Sequence, residues 1–296
     1  MDLTQERKEL KKKLRKEKNK RFFKAMFSRR LVIIGLVGFL FFLFIAVFAG
    51  VLTPYDRDMQ DSYNILAAPS AEHLLGTDQF GRDLLTRIMY GARVSLIVGV
   101  VAVVIACIVG VFLGLCAAYF GGWVDTIIMR CSEALMAIPG IMVSMALIAI
   151  LGNTIFDMAA ILAFSTIPFY VRMTRAMALS IKTSDYVKAA QIEGAGSLYI
   201  MLRHVLPNSI SPIIIMMMQQ VGTTILMESG LSFLGIGITI PIPSWGTMVE
   251  AGRQYMIQCP ALGIAPGACV ALLVISLNLL GDGIRDALDP RLRGEV

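Results

Sequence analysis

The sequence predicts an all-α integral membrane protein with about six transmembrane helices. Its 296 residues are 56% hydrophobic and only 16% charged, and their mean hydropathy is +0.72. A soluble domain of this length carries roughly a quarter charged residues. A transmembrane helix needs about 20 predominantly apolar residues, and the chain holds six long apolar runs separated by polar or charged segments. We therefore expect lipid to be its main solvent.

The first 30 residues form a strongly basic tail. They hold thirteen of the 27 Lys and Arg residues and four of the 21 acidic residues, so the remainder of the chain is slightly acidic. A basic cluster beside an apolar span suits anionic lipid headgroups and resists translocation. We interpret residues 1–30 as a cytoplasmic tail that does not bind nucleic acid and that acts mainly as a solvated retention charge with no specific partner. Contact with anionic membrane lipid is the alternative.

Residues 31–52 form the first predicted transmembrane helix. A basic stretch before an apolar run is also typical of a signal peptide, but this run is longer than the roughly 7–15 residues of a signal-peptide core. We therefore expect a retained helix. The stretch 53–93 is too polar to cross a membrane. It is predicted to be an extracytoplasmic segment with room for short amphipathic helices.

Residues 94–284 are predicted to form a core of five further helices. Their expected bounds are about 94–119, 134–152, 157–179, 209–234 and 263–281. Gly121 and Gly152 are expected to end the second and third of the six spans, since glycine readily adopts the backbone conformations of helix ends. Prolines within or near the spans should kink them, namely Pro139, Pro168, Pro212 and Pro266. Residues 285–296 are predicted to be a cytoplasmic C-terminal tail.

The distribution of Lys and Arg predicts which side each loop faces. With the N-terminus inside, the inner segments hold 22 basic residues and the outer segments hold 5. Without the N-terminal tail, the counts are 9 and 5. Basic residues concentrate in cytoplasmic loops. We therefore expect a multi-pass protein of the cell membrane with both termini in the cytoplasm, and the tail contributes much of the asymmetry.

The polar segment 182–208 is the most informative part of the sequence. Asp185 is predicted to cap a helix over residues 186–193, because its carboxylate can accept from exposed backbone N–H groups. Gly194 can end that helix with a positive φ. Pro207 is expected to mark a break before the fifth transmembrane helix. The result is a short cytoplasmic helix-turn-helix.

Small side chains form one predicted face of this helix-turn-helix. Ala189, Ala190 and Gly194 leave room for a partner to approach closely. From the residues alone, two interpretations stay open. The segment is either a docking element for another protein or an ordinary amphipathic loop that lies on the membrane.

The segment 182–208 also resembles a known docking loop. The run Tyr186-Val-x-Ala189-Ala190-x-x-x-Gly194-Ala195, followed by Leu206-Pro207, resembles the EAA loop of ATP-binding-cassette (ABC) importer permeases. Lys188 stands where the founding motif has Glu. In that family the loop is a coupling helix that fits a groove on the ATPase subunit. The resemblance implies that this coupling loop (182–208) contacts an ATPase through Asp185, Tyr186, Ala189, Ala190, Gly194, Ala195 and Pro207.

Further stretches resemble the C-type permease subunits of dipeptide, oligopeptide and nickel importers. They are residues 73–83, 90–96, 233–237, 243–246 and 281–291. The resemblance covers roughly residues 30–293 and implies a type I ABC importer permease fold. The partners it implies are a homologous second permease, two ATP-binding subunits and an extracytoplasmic solute-binding protein.

Two of these stretches allow a partial physical account. In the stretch 73–83, turns are predicted at Gly76 and Gly81. In the closing motif, Gly281 and Gly283 are expected to loosen the helix end. The charged residues of that motif are expected to pair at the inner interface, namely Asp282, Arg285 and Asp286.

Glu228 is the one acidic residue inside a predicted span. A charge near the bilayer centre costs about 2.5–3.5 kcal/mol on insertion scales, so this side chain should face an aqueous cavity or a polar partner. Gln220, Thr224 and Glu228 recur every four residues and share one stripe of the helix. We hypothesise that the stripe lines the transport path. A hydrogen-bonded seam between helices and a position near the outer headgroups are the alternatives.

The sequence carries no recognisable catalytic motif. It lacks the phosphate-binding pattern G-x-x-x-x-G-K-[ST], the patterns H-E-x-x-H and G-x-S-x-G, and any C-x-x-C pair. These patterns mark nucleotide, metalloprotease, hydrolase and thiol chemistry. Its two histidines are too few for a metal cluster. We predict no catalytic residue, metal site or cofactor on this chain, with ATP and Mg²⁺ bound by the partner ATPases.

These observations predict a non-catalytic permease subunit that moves di- or oligopeptides by alternating access, driven by partner ATPases. Nickel chelates and glutathione-like solutes are alternative substrates for the same architecture. A membrane-embedded enzyme is disfavoured by the missing motifs. An ATP-independent secondary transporter is a remote alternative, because it would be expected to show internal repeats and several intramembrane charges.

Overall fold

The computed structural model describes residues 26–27 and 29–288, which form helices, turns and one isolated bridge between Thr77 and Asp83. Most of the predicted basic tail and the last eight positions, 289–296, lie outside the described residues. The elements are α1 (Arg30–Leu52), α2 (Leu84–Phe120), α3 (Gly122–Met136), α4 (Gly140–Leu151), α5 (Ile155–Lys182), α6 (Asp185–Ile192), α7 (Ser197–Ile200), a π-helical turn (Met201–Val205), α8 (Leu206–Phe233), α9 (Trp245–Gln254) and α10 (Ala261–Leu288).

The number of membrane spans agrees with the prediction. Five helices are long and apolar enough to cross a membrane, and the bent pair α3–α4 supplies a sixth. Helices form here because a bilayer offers no water to the backbone, so its polar groups must bond within the segment. The all-α membrane fold with about six spans is confirmed.

The second span begins at Leu84, and the predicted start near residue 94 is wrong. The Asp83 carboxylate caps α2 by accepting from the Thr86 N–H at 2.8 Å. Arg93, which was taken as the polar boundary, lies inside the helix. Its Nε donates to the carbonyl oxygen of Ala46 in α1 at 2.8 Å. A charge satisfied by a neighbouring backbone does not end the helix, so the polar segment between the first two spans is shorter than predicted, at 53–83. It contains turns and no helix within the described residues.

The third span is two helices, and the predicted single helix over 134–152 is wrong at its start. α3 and α4 meet at an angle of 91°. Pro139 is the N-cap of α4 and has an extended backbone. Proline lacks an N–H, and it disfavours the α conformation at the residue that precedes it, so α3 ends before Pro139. The kink predicted at Pro139 is confirmed. α3 extends back to Gly122 because Asp125, taken as a boundary, is bound by Arg175 of α5 at 2.5 Å and 2.6 Å.

No break occurs at Pro207, contrary to prediction. The chain stays helical from Ser197 to Phe233. The turn over Met201–Val205 widens to a π-helix, and the Leu206 N–H donates to the carbonyl oxygen of Met201, five residues back. Pro207 lies two residues after this turn, in the first turn of α8, where proline is tolerated. The widened turn therefore accommodates the proline without ending the helix.

α2 lies at the centre of the bundle and packs against α1, α5 and α8. Two of its glycines let α5 approach closely. A Cβ on Gly110 would lie 2.5 Å from Tyr170 Cβ, and one on Gly114 would lie 2.6 Å from the carbonyl oxygen of Val171. Small residues spaced four apart support close packing in lipid, where helices associate through van der Waals contact. This glycine pair was not predicted from the sequence.

The loops alternate between the two ends of the bundle. Segment 53–83 and the 234–244 loop meet at one end, where Arg87 donates to the carbonyl oxygens of Arg57 at 3.0 Å and Pro241 at 3.3 Å. We call this the distal end. The other end holds the coupling loop, the start of α1 and the end of α10. We call it the coupling end.

Candidate functional site

The coupling loop starts at the end of α5, and its first helix, α6, begins at Asp185. Asp185 is not the cap residue that the sequence analysis predicted. Ser184 occupies the N-cap position and makes no capping bond, because its hydroxyl donates back to the carbonyl oxygen of Ile181 at 2.6 Å. Asp185 is exposed in the first turn, where a negative charge favours the positive end of the helix dipole.

The end of α6 follows the prediction. Gly194 has a φ of +80°, a conformation that L side chains rarely adopt. The Gly194 N–H donates to the carbonyl oxygen of Gln191, and the Ala195 N–H donates to that of Ala190, both at 3.0 Å. This reversal satisfies the free carbonyls at the helix end and turns the chain toward α7.

The small residues of α6 do not share one face. Ala189 and Gly194 are exposed, whereas Ala190 is buried together with Val187 in the core of the subunit. The predicted single face of three small residues is therefore wrong, because positions 189 and 190 point about 100° apart on a helix. A partner that approaches α6 would meet Ala189 and Tyr186, and Ala190 fixes the helix from behind.

The base of the coupling loop is attached to the end of α2. Lys182 Nζ donates to the carbonyl oxygens of Tyr119 at 2.6 Å and Ala118 at 3.2 Å. These are among the last carbonyls of α2, which have no partner within their own helix. Met201 and Val205 of the π-helical turn are buried in the same core. These contacts connect the base of the coupling loop to α2 and to the core of the bundle.

The coupling loop also presents large apolar side chains to its surroundings. Ile192 is 87% exposed, and a continuous apolar patch of this kind usually marks an interaction surface. The other exposed members are Tyr186, Leu198, Tyr199 and Leu202. The exposure fits either interpretation left open above, contact with a protein or contact with the membrane.

Glu228 of α8 is completely buried and lies among serine hydroxyls. Its Oε1 accepts from Ser232 at 2.8 Å and from Ser244 at 2.9 Å, and Ser229 lies 3.4 Å from Oε2. The hydroxyl of Ser232 also accepts from the Ile238 N–H at 3.3 Å. This arrangement is a hydrogen-bonded seam between α8 and the loop that follows it, whereas the alternative predicted from the sequence was a seam between two helices.

The three residues of the predicted path stripe differ in exposure. Gln220 is partly exposed, Thr224 is buried with no hydrogen-bond partner for its hydroxyl, and Glu228 is inaccessible. They do not form one accessible stripe in this structure. The role of these residues in the transport path stays a prediction.

The stretch 73–83 folds back onto the start of α2. The predicted turns are present, since Gly76 and Gly81 have φ values of +81° and +72°. Thr77 is fully buried; its hydroxyl donates to the Asn64 carbonyl and accepts from the Ala67 N–H at 2.8 Å. The motif therefore acts as a clasp that fixes segment 53–83, a role that the sequence analysis missed.

Asp61 completes this clasp. Its carboxylate accepts from the Tyr63 N–H at 2.9 Å and from the Asn64 side-chain amide at 2.8 Å. These hydrogen bonds lower the pKa of the Asp61 carboxyl, because they favour its charged form. Gly81 packs so closely against the Asp61 backbone that a Cβ would not fit.

A buried network of charges sits beside the clasp. Asp78 Oδ2 accepts from Arg82 Nε at 2.6 Å and lies 3.6 Å from Arg87 Nε. All three side chains are at most 4% exposed. Removing one partner of such a network leaves an uncompensated buried charge. Asp78 and Arg82 are four residues apart in the sequence, and this spacing could have predicted the ion pair.

The closing motif packs tightly, and the predicted loosening at Gly281 and Gly283 is wrong. α10 continues through both glycines to Leu288, and Gly283 lies against Val32 of α1 without room for a Cβ. The predicted pairing of the charged residues holds in part. Asp286 pairs with Arg29, and Gln219 Nε2 lies 3.4 Å from Asp282 Oδ1.

Two family models match this sequence. The family described as "Binding-protein-dependent transport system inner membrane component" matches residues 109–294. The "N-terminal TM domain of oligopeptide transport permease C" matches residues 19–69. Together they cover the end of the tail, α1 and the part of the bundle from residue 109 onward.

Curated relatives align over most of the chain. The dipeptide transport system permease protein of Alkalihalophilus pseudofirmus is 40% identical over 271 residues, which is 92% of this chain and 89% of the relative. The glutathione transport system permease protein of Pectobacterium atrosepticum is 40% identical over 250 residues, or 84% and 83% of the two chains. Its namesake from Escherichia coli O6:K15:H31 is 38% identical over 251 residues, with the same coverage.

The spans and the loop geometry define a multi-pass membrane protein. Within that class, the chain belongs to the family of binding-protein-dependent transport system inner membrane components. Its helical bundle is the type I importer permease fold of that family. The resemblance noted in the sequence is confirmed.

Proposed function

We propose that this chain is one of two pore-forming subunits of an ATP-driven importer that moves di- or oligopeptides across the cell membrane. One observation carries the proposal within this family. Helix α6 is exposed at the coupling end, while Val187 and Ala190 anchor it from behind and Lys182 ties its base to α2. Such an element can receive a movement from a partner and pass it to the spans.

The energy source is placed on other subunits. The sequence has no phosphate-binding loop, so we assign ATP and Mg²⁺ to two partner ATPases that dock at the coupling loop. The relatives are transport permeases by name, which supports a non-catalytic role. When the ATPases close on ATP, they would displace α6 and tilt the bundle between inward-open and outward-open forms.

The remaining partners follow from the family and the charge pattern. A homologous second permease would supply the other half of the pore. Basic residues concentrate at the coupling end, so we place that end and both termini in the cytoplasm. The distal end would then face outward and receive solute from a binding protein, in keeping with a family description that names a binding-protein-dependent transport system.

Peptides are the preferred substrate class because the first relative is a dipeptide permease that aligns with 92% of this chain. A glutathione permease of equal identity favours a second candidate. Glutathione is itself a small peptide with free carboxylates and a free amino group, so the two candidates share their recognition chemistry.

The coupling role is tested by bulky substitutions on α6. In a reconstituted complex with both ATPases and binding protein, Ala189→Trp adds a large side chain at an exposed helical position. Gly194→Trp does the same at the turn. We expect that substrate no longer stimulates ATP hydrolysis, or that the ATPases no longer co-purify.

Gly194→Asn is the matched control, because asparagine tolerates a positive φ and adds little bulk. It should retain assembly and stimulation. If both tryptophan variants assemble and turn over ATP as the parent does, the coupling loop is not the docking element. If no tested peptide stimulates ATP hydrolysis by the parent complex, the assignment of peptide substrates is wrong.

A further inference from the structure

The distal end contains a cavity that the proposed function does not assign. Its volume is about 200 Å³, and its walls come from the clasp, the start of α2, the loop after α8, and α9. Pockets for drug-sized ligands span about 300–1,000 Å³. A cavity of this size suits a solute no larger than a dipeptide, or one end of a longer peptide.

One wall of the cavity offers hydrogen-bond donors. Arg82 lines it and is 3% exposed. Asp78 engages only Nε of this guanidinium, and within residues 29–288 neither terminal amino group makes a hydrogen bond. A planar guanidinium with both amino groups available binds a carboxylate well.

Acceptors lie on other walls. Gln79 lines the cavity, and its buried Oε1 has no hydrogen-bond partner in the described part of the chain. Glu250 of α9 also lines it, forms no ion pair with any described residue, and has one contact of 3.4 Å, from the side-chain amide of Gln254. A buried acceptor without a donor is costly, and an ammonium or amide N–H from a ligand would satisfy both groups.

The remaining lining is mixed: Asp78 and Arg87 belong to it, and Ile238, Met248 and Leu262 supply apolar surface. Ser232 also lines it, and its hydroxyl donates to Glu228 at 2.8 Å. One hydroxyl therefore lies between the cavity and the buried carboxylate of α8. Donors, acceptors and apolar walls match the three parts of a small peptide: its carboxylate, its amino end and its side chains.

We propose that this cavity is a binding site for a small zwitterionic peptide, with its carboxylate on Arg82 and its amino group between Gln79 and Glu250. The site rests on the proposed function and adds a substrate-contacting surface to the permease itself. A simple anion or cation fits less well, because the cavity presents groups of both signs.

The test compares dialanine with N-acetyl-dialanine and dialanine amide. Binding is measured by titration calorimetry on the assembled permease–ATPase complex in nanodiscs, without binding protein. A hydrogen bond to a charged group contributes about 1.5–3 kcal/mol, so each blocked end should weaken binding by about tenfold or more. In Glu250→Gln, acetylation of the amino end should no longer weaken binding. Amidation of the carboxylate should weaken binding as it does in the parent.

Glu72→Gln is the control, because Glu72 is exposed in the same segment and lies outside the cavity lining. It should behave as the parent. If Glu250→Gln does not assemble, Gln79→Leu carries the same test and should reduce the acetylation penalty. An unchanged acetylation penalty in the assembled variant, or no dialanine binding to the parent, overturns the site.

Transport of the same dipeptide by the complete system separates this site from the proposed function. Transport without binding to the permease complex overturns the site alone. Binding without transport supports the site and contradicts the proposed import of dipeptides.

Discussion

Glu228 shows how a single acidic residue is accommodated inside a span. Its carboxylate accepts from hydroxyls of α8 and from Ser244, the residue before α9. Trp245 follows directly, is fully buried, and donates from Nε1 to the carbonyl oxygen of Ile88 at 2.8 Å. The carboxylate thus links α8 to the start of α9, and through Trp245 to α2. The carboxyl group of Glu228 is satisfied by hydroxyl donors, and no cation of the described chain pairs with it.

We expect Glu228→Ala to destabilise the protein. Leaving a buried donor without its acceptor costs about 1–3 kcal/mol, and the truncation leaves the hydroxyls of Ser232 and Ser244 without theirs, so the free energy of unfolding should fall by about 3 kcal/mol. Glu228→Gln keeps the acceptor and should cost less. Thermal unfolding of the purified complex in detergent measures both changes.

Thr223→Ala is the control, since Thr223 is exposed on the same helix and its hydroxyl bonds only to backbone carbonyls of that helix. If Glu228→Ala unfolds at the temperature of the parent, the seam does not stabilise the distal end. The Gln variant also tests the path hypothesis. Unchanged peptide transport in Glu228→Gln would remove Glu228 from the transport path and leave the structural role.

Helix contacts in this bundle depend on small residues at crossing points. Gly110 and Gly114 bring α2 against α5, and Gly35 does the same for α1 against α10, where a Cβ would lie 2.8 Å from Leu279 Cβ. Lipid tails solvate leucine as well as a protein core does, so close backbone approach replaces the hydrophobic effect as the source of affinity.

A methyl group at Gly110 should separate α2 from α5. Overpacking a tight contact costs about 1–3 kcal/mol, so Gly110→Ala should lower the free energy of unfolding by that amount. Gly230→Ala provides the comparison, because Gly230 lies in α8 with open space around its Cβ position. There alanine should be neutral or gain up to about 1 kcal/mol in helix propensity. Equal unfolding temperatures for the two variants would show that the α2–α5 contact can relax without cost.

At the scale of the whole molecule, the sequence predicted what the bilayer imposes. Length and apolarity fix the number and rough position of the spans, and all six were found. The errors lie where charges are satisfied by distant parts of the chain. Arg93 binds α1, and Asp125 binds Arg175 fifty residues away. Local sequence cannot show such partners, so these charges were read as boundaries.

The same limit applies to the functional sites. Gly194 was predicted correctly because its positive φ is a local requirement. The packing of Ala190 depends on tertiary contact, and so does the cavity beside Arg82 and Glu250, which lie far apart in the sequence. The sequence pattern alone located the coupling loop. Its orientation and the distal cavity could be identified only from the three-dimensional structure.

Movement of the whole bundle should depend on the link between the coupling loop and α2. Lys182 is the one described side chain that bonds the last carbonyls of α2, at 2.6 Å and 3.2 Å, and it lies three residues before α6. A displacement of α6 would be transmitted to α5 through the backbone. It would be transmitted to α2 through Lys182 and through the packing of the π-helical turn. Lys182→Gln shortens the side chain and removes the charge. The ATPases should still assemble on it, because α6 itself is unchanged.

The measured quantity is peptide transported per ATP hydrolysed in proteoliposomes. If the lysine link transmits the movement, losing about 1.5–3 kcal/mol of interaction should lower this ratio by about tenfold in Lys182→Gln. Arg130→Gln removes an exposed charge at the same end, where Arg130 forms only a surface pair with Glu133, and should leave the ratio unchanged. A parental ratio in Lys182→Gln would mean that the packing of Met201 and Val205 is sufficient to couple α2. The ratio of peptide transported to ATP hydrolysed can be measured only in a complex that still hydrolyses ATP. If the ATPases no longer assemble on Lys182→Gln, Lys182 belongs to the docking surface instead.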